Sequence, residues 1–318
     1  MSAALSQALP TGFSLVGGVP LKNPDLAASV IFLVVWALLT PLPVWRFAVR
    51  RTRDAILIRP AVVIVIRIAT FIIRALEANG NYATGLFIAE QVLLLIGLIP
   101  LCEPLISLLR FHVRRYWTPS PADGPKERKT TLNRLLILLR IALFAAIALG
   151  CVSGSQTSAA MTDPTKVDSL KHYRYGIIGI TLFISILSPI IAIVVSGKNG
   201  LPMAPVYFLI GCAACLIVPS VYKLIITLHP VSLVSHGAKA GFYVFSCVPE
   251  VVLVVLYFGF DLERMFDINE GAWKDKVEKK MQKGKWAGAY TAKEEYEMRD
   301  APGQRMASGG TDLEQGKY

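Results

Sequence analysis

Residues 175–195 read YGIIGITLFISILSPIIAIVV, 21 positions without one charged side chain. A buried strand ends after about eight residues, whereas about 20 consecutive apolar residues carry an α-helix across the hydrocarbon layer of a bilayer. The stretch shows no period-two alternation of the kind a barrel strand needs. It therefore predicts a transmembrane helix. Working outward, six more runs of comparable character occupy 26–48, 56–76, 82–109, 132–151, 205–228 and 240–262. The expected fold is all-α, a polytopic seven-transmembrane-helix bundle over 26–262.

Composition points the same way. Of 318 residues 54% are hydrophobic and 17% charged, with mean hydropathy +0.52, too little charge for a soluble enzyme of this length. The net charge of +11 would suit nucleic acid only if it formed a patch, but Lys and Arg lie between the apolar runs. Prolines 41, 43, 100, 104, 189, 219 and 249 fall inside runs, which a bundle in lipid tolerates because neighbouring groups take up the freed carbonyls.

Orientation follows the basic residues. Thirteen Lys and Arg lie on one side, from Arg46 to Arg59, from Arg110 to Arg134 and at Lys198, against five on the other, Lys22, Lys166, Lys171, Arg174 and Lys239. The N-terminus is expected outside and the C-terminus in the cytoplasm. Residues 1–25 form an extracytoplasmic tail without the basic start of a secretory signal, so the first run is expected to be retained. Residues 263–318 form a polar cytoplasmic tail, distally disordered. Its Lys274 to Lys285 stretch, flanked by Trp273 and Trp286, suits an anionic cytoplasmic leaflet.

Charges inside the apolar runs carry the functional reading, because each costs about 2.5–3.5 kcal/mol to insert unless it is paired or used. Arg67 and Glu90 lie at similar depths below the outer surface, and Lys223 and Glu250 at the outer half to the middle. These four are expected to line a polar cavity for an amphipathic ligand, with Tyr222 and Tyr243 as further lining candidates. Two pairs are expected to be structural: Arg74 with Glu77, three residues apart on one face, and Glu103 with Arg140 between helices.

Enzyme signatures are absent. No GxSxG or GxxxxGK[ST] pattern occurs, and the four histidines fall at helix ends or in loops. Cys212 and Cys215 have CxxC spacing but sit in an apolar run without a second pair, so they read as buried hydrophobes. No catalytic residue, metal or cofactor is expected.

The segment PSVYKLI at 219–225, followed by FYVFSCVPEVVLVVLYF at 242–258, resembles the closing region of the fungal lipid-translocating exporter (Rta-like) family or of a related fungal seven-helix family. Ser220, Tyr222 and Lys223 match its first pattern, and Tyr243, Val244, Phe245 and Pro249 its second. Ser246 stands where that family has Asp, and Glu250 where it has Met. The resemblance implies a protein of a fungal plasma membrane or endomembrane that binds or moves amphipathic lipids such as sphingoid bases, or confers tolerance of membrane-active toxins. Two other readings remain open: a seven-helix receptor-like sensor, and a non-catalytic organiser whose tail binds a partner. Against the receptor, SLLRFHVRRY at 107–116 lacks an acidic-Arg-aromatic switch.

Overall fold

The computed structural model describes residues 16–48, 55–81, 83–115, 130–199, 201–229, 235–266 and 268. These residues form helices and short turns, with no strand among them. Helix α1 (Lys22–Leu39) breaks at Thr40, whose hydroxyl donates to the Trp36 carbonyl at 3.3 Å, and continues as α2 (Pro41–Ala48). A 3₁₀ turn, Ala55–Leu57, leads into α3 (Ile58–Ala78). The long apolar run that follows divides into α4 (Thr84–Ile96) and α5 (Ile99–Arg115). Then come α6 (Thr130–Thr162), α7 (Thr165–Asn199) and α8 (Ala204–Leu228).

The last pass is irregular. A short α9 (His236–Gly241) passes into a π-helical turn at Phe242–Cys247, where the Val248 N–H donates to the Tyr243 carbonyl, and then into α10 (Val248–Gly259) and α11 (Leu262–Phe266). Pro249 has no N–H to continue a regular ladder, and a widened turn absorbs the mismatch.

Six helical stretches are long and apolar enough to cross a bilayer: Asp25–Ala48, Thr84–Val113, Arg134–Ala160, Thr165–Gly197, Ala204–Leu228 and His236–Gly259. The sequence reading counts seven. The difference is α3, of which every 18-residue window holds three charged residues. Its length, 21 residues or about 31 Å at 1.5 Å per residue, nonetheless matches the hydrocarbon layer.

Packing is inverted relative to a water-soluble bundle. Ile31, Val34 and Leu38 on α1, Ile137, Leu138, Ile141 and Phe144 on α6, and Phe183, Ile186 and Ile190 on α7 are exposed, while Arg67, Arg74, Glu77, Glu90, Lys223 and Glu250 are buried. Apolar surface faces outward in amounts no monomeric soluble protein leaves to water. The protein is an integral membrane protein. Its centre is the α4–α5 stretch, 78% of whose apolar window is buried, against 17% for the peripheral α1–α2 stretch. Around α5 pack α3, α6, α7 and α8.

Two ends of the bundle are identified by their contacts. At one end Gly17, Asp25, Arg74, Glu90, Lys239 and Tyr243 converge. At the other, His112 of α5 hydrogen-bonds Ser196 of α7 at 2.7 Å and meets the ring of Phe266 edge-on. There Arg46 donates through Nε to the Phe258 carbonyl at 2.9 Å and through a terminal nitrogen to the Phe260 carbonyl at 2.7 Å. Both carbonyls lie at the C-terminal end of α10, where a cation suits the helix dipole, and that of Phe260 also accepts the Leu262 N–H at 3.1 Å. Between α6 and α7 the Asp163 carboxylate accepts the Thr165 hydroxyl at 2.7 Å and its N–H at 3.0 Å. These bonds hold the carboxyl below its ordinary range, so this turn is intact at neutral pH and loosens only as acid protonates it.

Both margins of the bundle carry buried residues. Asp25 is fully buried within the bundle, and helix begins at Lys22. At the other margin α11 packs on α5 and α8 and buries Phe266, with Ile268 buried beyond it. Two apolar side chains in an otherwise polar segment are enough to anchor it. The expected leaflet-binding stretch, Lys274 to Lys285, lies outside the described residues.

Replacing Arg46 by Ala leaves two helix-end carbonyls without a charged donor, a loss of about 2 kcal/mol. Thermal unfolding of the detergent-solubilised protein should show a lower melting temperature for Arg46→Ala, with Arg46→Lys intermediate because one ammonium cannot span both carbonyls as a fork does.

Candidate functional site

Helix α3 organises the interior. Arg67 and Arg74 are seven residues apart, hence on one face about 10 Å apart, and that face also buries Thr70, Phe71 and Glu77. Each arginine is the hub of a separate network.

Arg74 has no exposed surface. It donates to Glu90 Oε1 at 2.5 Å, to the Gly17 carbonyl at 2.6 Å, to Tyr243 Oη at 3.0 Å and to Asp25 Oδ1 at 3.2 Å, while the ring of Phe242 lies 4.7 Å from its guanidinium carbon. Lys239 pairs with the other oxygen of Asp25. Ser29 and Tyr243 hydroxyls meet at 3.1 Å. Gly17 has φ +83°, and a Cβ there would come within 3.0 Å of the Arg74 guanidinium, so glycine is required twice over.

Arg67 forms a two-point pair with Glu250 of α10, Nη2 to Oε1 at 2.8 Å and Nε to Oε2 at 2.6 Å. Lys223 of α8 lies 3.8 Å from the same carboxylate and donates to the Leu94 carbonyl at 2.9 Å. That carbonyl is available because the ladder stops where α4 ends: Gly97 and Leu98 form a turn before α5. The turn is itself shaped by the arginine. A Cβ on Gly97 would lie 2.8 Å from Arg67 Cζ, so only glycine lets the guanidinium rest against the backbone.

The third group lies toward the opposite end. Glu103 of α5 pairs with Arg59 of α3 and accepts from Ser107 Oγ at 3.0 Å, and Arg140 of α6 donates to that hydroxyl at 3.3 Å. Arg59, Glu103 and Arg140 line a cleft of about 410 Å³ with Val62, Ile99, Pro100, Leu143, Phe144 and Ile147. Half of the Arg59 side chain is exposed, whereas the charged groups of the first two networks are sealed.

The charges expected from the sequence are therefore all inside, but they are matched differently. Arg67 meets Glu250 and not Glu90, although their depths are similar, because Glu90 faces Arg74 one face-repeat farther along α3. Arg74 takes Glu90 and Asp25 in place of Glu77, whose carboxylate lies beside that of Glu90. Glu103 takes Arg59, with Arg140 reaching it only through Ser107. Lys223 and Glu250 lie together, and Tyr243 sits within the Arg74 network. Tyr222 is at its edge, donating to the Ala238 carbonyl at 3.2 Å. Arg67, Lys223 and Glu250 form one buried cluster, and Glu90 belongs to the Arg74 network.

Asp25, Lys239, Arg59, Gly17 and Gly97 were missed by sequence reasoning. Asp25 and Lys239 sit at the margins of their apolar runs, where the charge was assigned to the loop. Only Gly97 left a local signal, a glycine three residues before Pro100 in the middle of a 28-residue run.

In the first two networks Arg67, Arg74, Lys223 and Lys239 are all paired with Asp25, Glu90 or Glu250, and Glu77 lies beside Glu90. In the cleft group two guanidiniums, Arg59 and Arg140, line the same cleft as the single carboxylate of Glu103. Among the described residues no cluster of three His, Cys, Asp or Glu is arranged to hold a metal ion. No protein-family model, curated protein or solved structure matches this chain.

Removing one partner from a sealed pair strands the other. Glu250→Ala should cost about 3–5 kcal/mol by leaving Arg67 and Lys223 without a counter-charge, and Glu250→Gln less, because the amide oxygen still accepts. Melting temperature and the yield of monodisperse protein in mild detergent measure both. Gly97→Ala should likewise lower the melting temperature, by displacing the Arg67 guanidinium.

Proposed function

We propose that this protein crosses the membrane seven times, with its N-terminus outside, and binds amphipathic lipids or lipid-like toxins for translocation in the cleft between α3, α5 and α6. The observation that carries the reading is the composition of that cleft. It combines a charged end, Arg59, Glu103 and Arg140, with apolar walls, and its volume of about 410 Å³ falls in the usual range for small-molecule pockets. Phe144 on its wall is exposed on the apolar exterior of α6, so a ligand can enter sideways from lipid.

Counting α3 as the seventh crossing is supported by where its charges go. Arg67, Arg74 and Glu77 are all turned into the bundle, so the helix offers lipid an apolar face despite its composition. Seven passes also agree with the excess of basic residues at the Arg46 and Arg59 end. The sealed networks of Arg67 and Arg74 then serve as scaffold. A ligand would have to displace their ion pairs to use them, whereas the cleft is open.

Tags at the two termini, probed with protease in sealed vesicles, should be found on opposite faces; the same face for both sinks the seven-crossing topology. For the ligand, a single-chain amphiphile at about 100 times its Kd should stabilise the purified protein by about 2.7 kcal/mol, seen as a concentration-dependent rise in melting temperature. Phe144→Ala, which removes part of the wall, should weaken that rise. If no amphiphile of any head group shifts the melting, the binding reading fails.

A further inference from the structure

Three helices meet at the α3–α5–α6 cleft, and each places its residues in the same order along the bundle. On α6, Arg140 is followed by Leu143, Phe144 and Ile147, the spacing of one helical face, running over about 10 Å deeper into the protein. On α3, Arg59 near the helix start is followed by Val62. On α5, which runs the other way, Glu103 is preceded by Ile99 and Pro100. All the charge therefore lies at one level, and all the apolar wall lies on its inner side. Arg140 sits six residues into its apolar span, about 9 Å from the end, the depth at which a lipid head group meets its chain.

The charge at that level has a sign. Arg59 and Arg140 flank Glu103, whose oxygens are already engaged by Arg59 and the Ser107 hydroxyl. Among the described residues Arg140 makes a single hydrogen bond, the 3.3 Å contact to Ser107, from a guanidinium able to donate five. The interior networks show the contrast, because there each cation has its carboxylate. A cationic head would meet two guanidiniums and one occupied carboxylate. An anionic one would complete the set.

We infer that the cleft selects amphiphiles with an unshielded phosphate-type head, the phosphate oxygens taking Arg140 and Arg59 while the acyl chain lies along Leu143, Phe144, Ile147 and Val62. Guanidinium forks match phosphate oxygens two at a time, which an ammonium group at these positions would not do. The inference rests on the proposed amphiphile-binding function and gives it a substrate class, opposite in charge to the sphingoid bases that the sequence resemblance implies.

The test uses the full chain in a neutral detergent and four probes: a lysophospholipid with a bare phosphate monoester head, one of the same chain length with a phosphocholine head, a long-chain amine, and inorganic phosphate. Melting shift and retention in native mass spectrometry read binding. The bare phosphate lipid should bind at least about tenfold more tightly than the choline lipid or the amine, and its affinity should fall as salt is raised. Arg140→Gln should lower its affinity about tenfold while leaving weak, head-independent binding, without moving the melting temperature of the free protein, since Arg140 holds no sealed partner. The salt titration on the unaltered protein stands even if a variant misfolds. Equal binding of the three lipids, or preference for the amine, overturns the anionic selectivity and leaves amphiphile binding intact. Inorganic phosphate binding as tightly as the phosphate lipid overturns the lipid assignment. Binding of none overturns the function beneath it as well.

Discussion

The Arg74 guanidinium, buried without contact to solvent, is tied to four different segments: the Gly17 carbonyl before α1, Asp25 within α1, Glu90 on α4 and Tyr243 in the π-helical turn. In water such a residue would be a weak contributor, since each bond would replace one to solvent. In lipid there is no solvent to replace, and an unpaired guanidinium is the costly alternative. The geometry of one end of the bundle follows from that. The segment before α1 must fold back over the helix ends, residue 17 must be glycine, and the last pass must present Tyr243 inward, which the π turn accomplishes by rotating the residues before Pro249.

The same constraint explains the break between α4 and α5. An unbroken helix through 84–113 would have used its own carbonyls and left Arg67 and Lys223 with Glu250 alone. The turn at Gly97 and Leu98 frees the Leu94 carbonyl for Lys223 and makes room for Arg67 against the backbone. Polar groups elsewhere in the helices are satisfied locally: Thr70, Thr181, Ser185, Ser188, Ser220 and Thr227 each donate to the carbonyl four residues back.

Pairing and burial separate scaffold from site. Where cations and carboxylates are paired and sealed, they hold helices together. Where two guanidiniums, Arg59 and Arg140, stand with one carboxylate beside a cleft, the proposed lipid ligand would find its head-group contacts. The sequence alone suggested the reverse, with the functional cavity at Arg67, Glu90, Lys223 and Glu250 and glue at Glu103 and Arg140. Depth along a helix was readable from residue number, because 1.5 Å per residue fixes it. Azimuth and neighbour were not, so Arg67 could be assigned a level but not the partner it meets there.

Length and hydropathy by themselves determined that the chain is helical and lies in membrane, because a run of 21 residues without charge has no other stable place to be. They also determined that charges such as Arg74 and Glu250 must face inward, since lipid gives them no partner. Which carboxylate each cation finds was decided only by tertiary structure. Asp25 and Lys239 are 214 residues apart, and nothing local to either marks it as interior until α1 and α9 are packed side by side. Only packing, too, left Arg140 short of a carboxylate beside an open cleft, because an unmet charge is a property of the assembled neighbours and not of the residue.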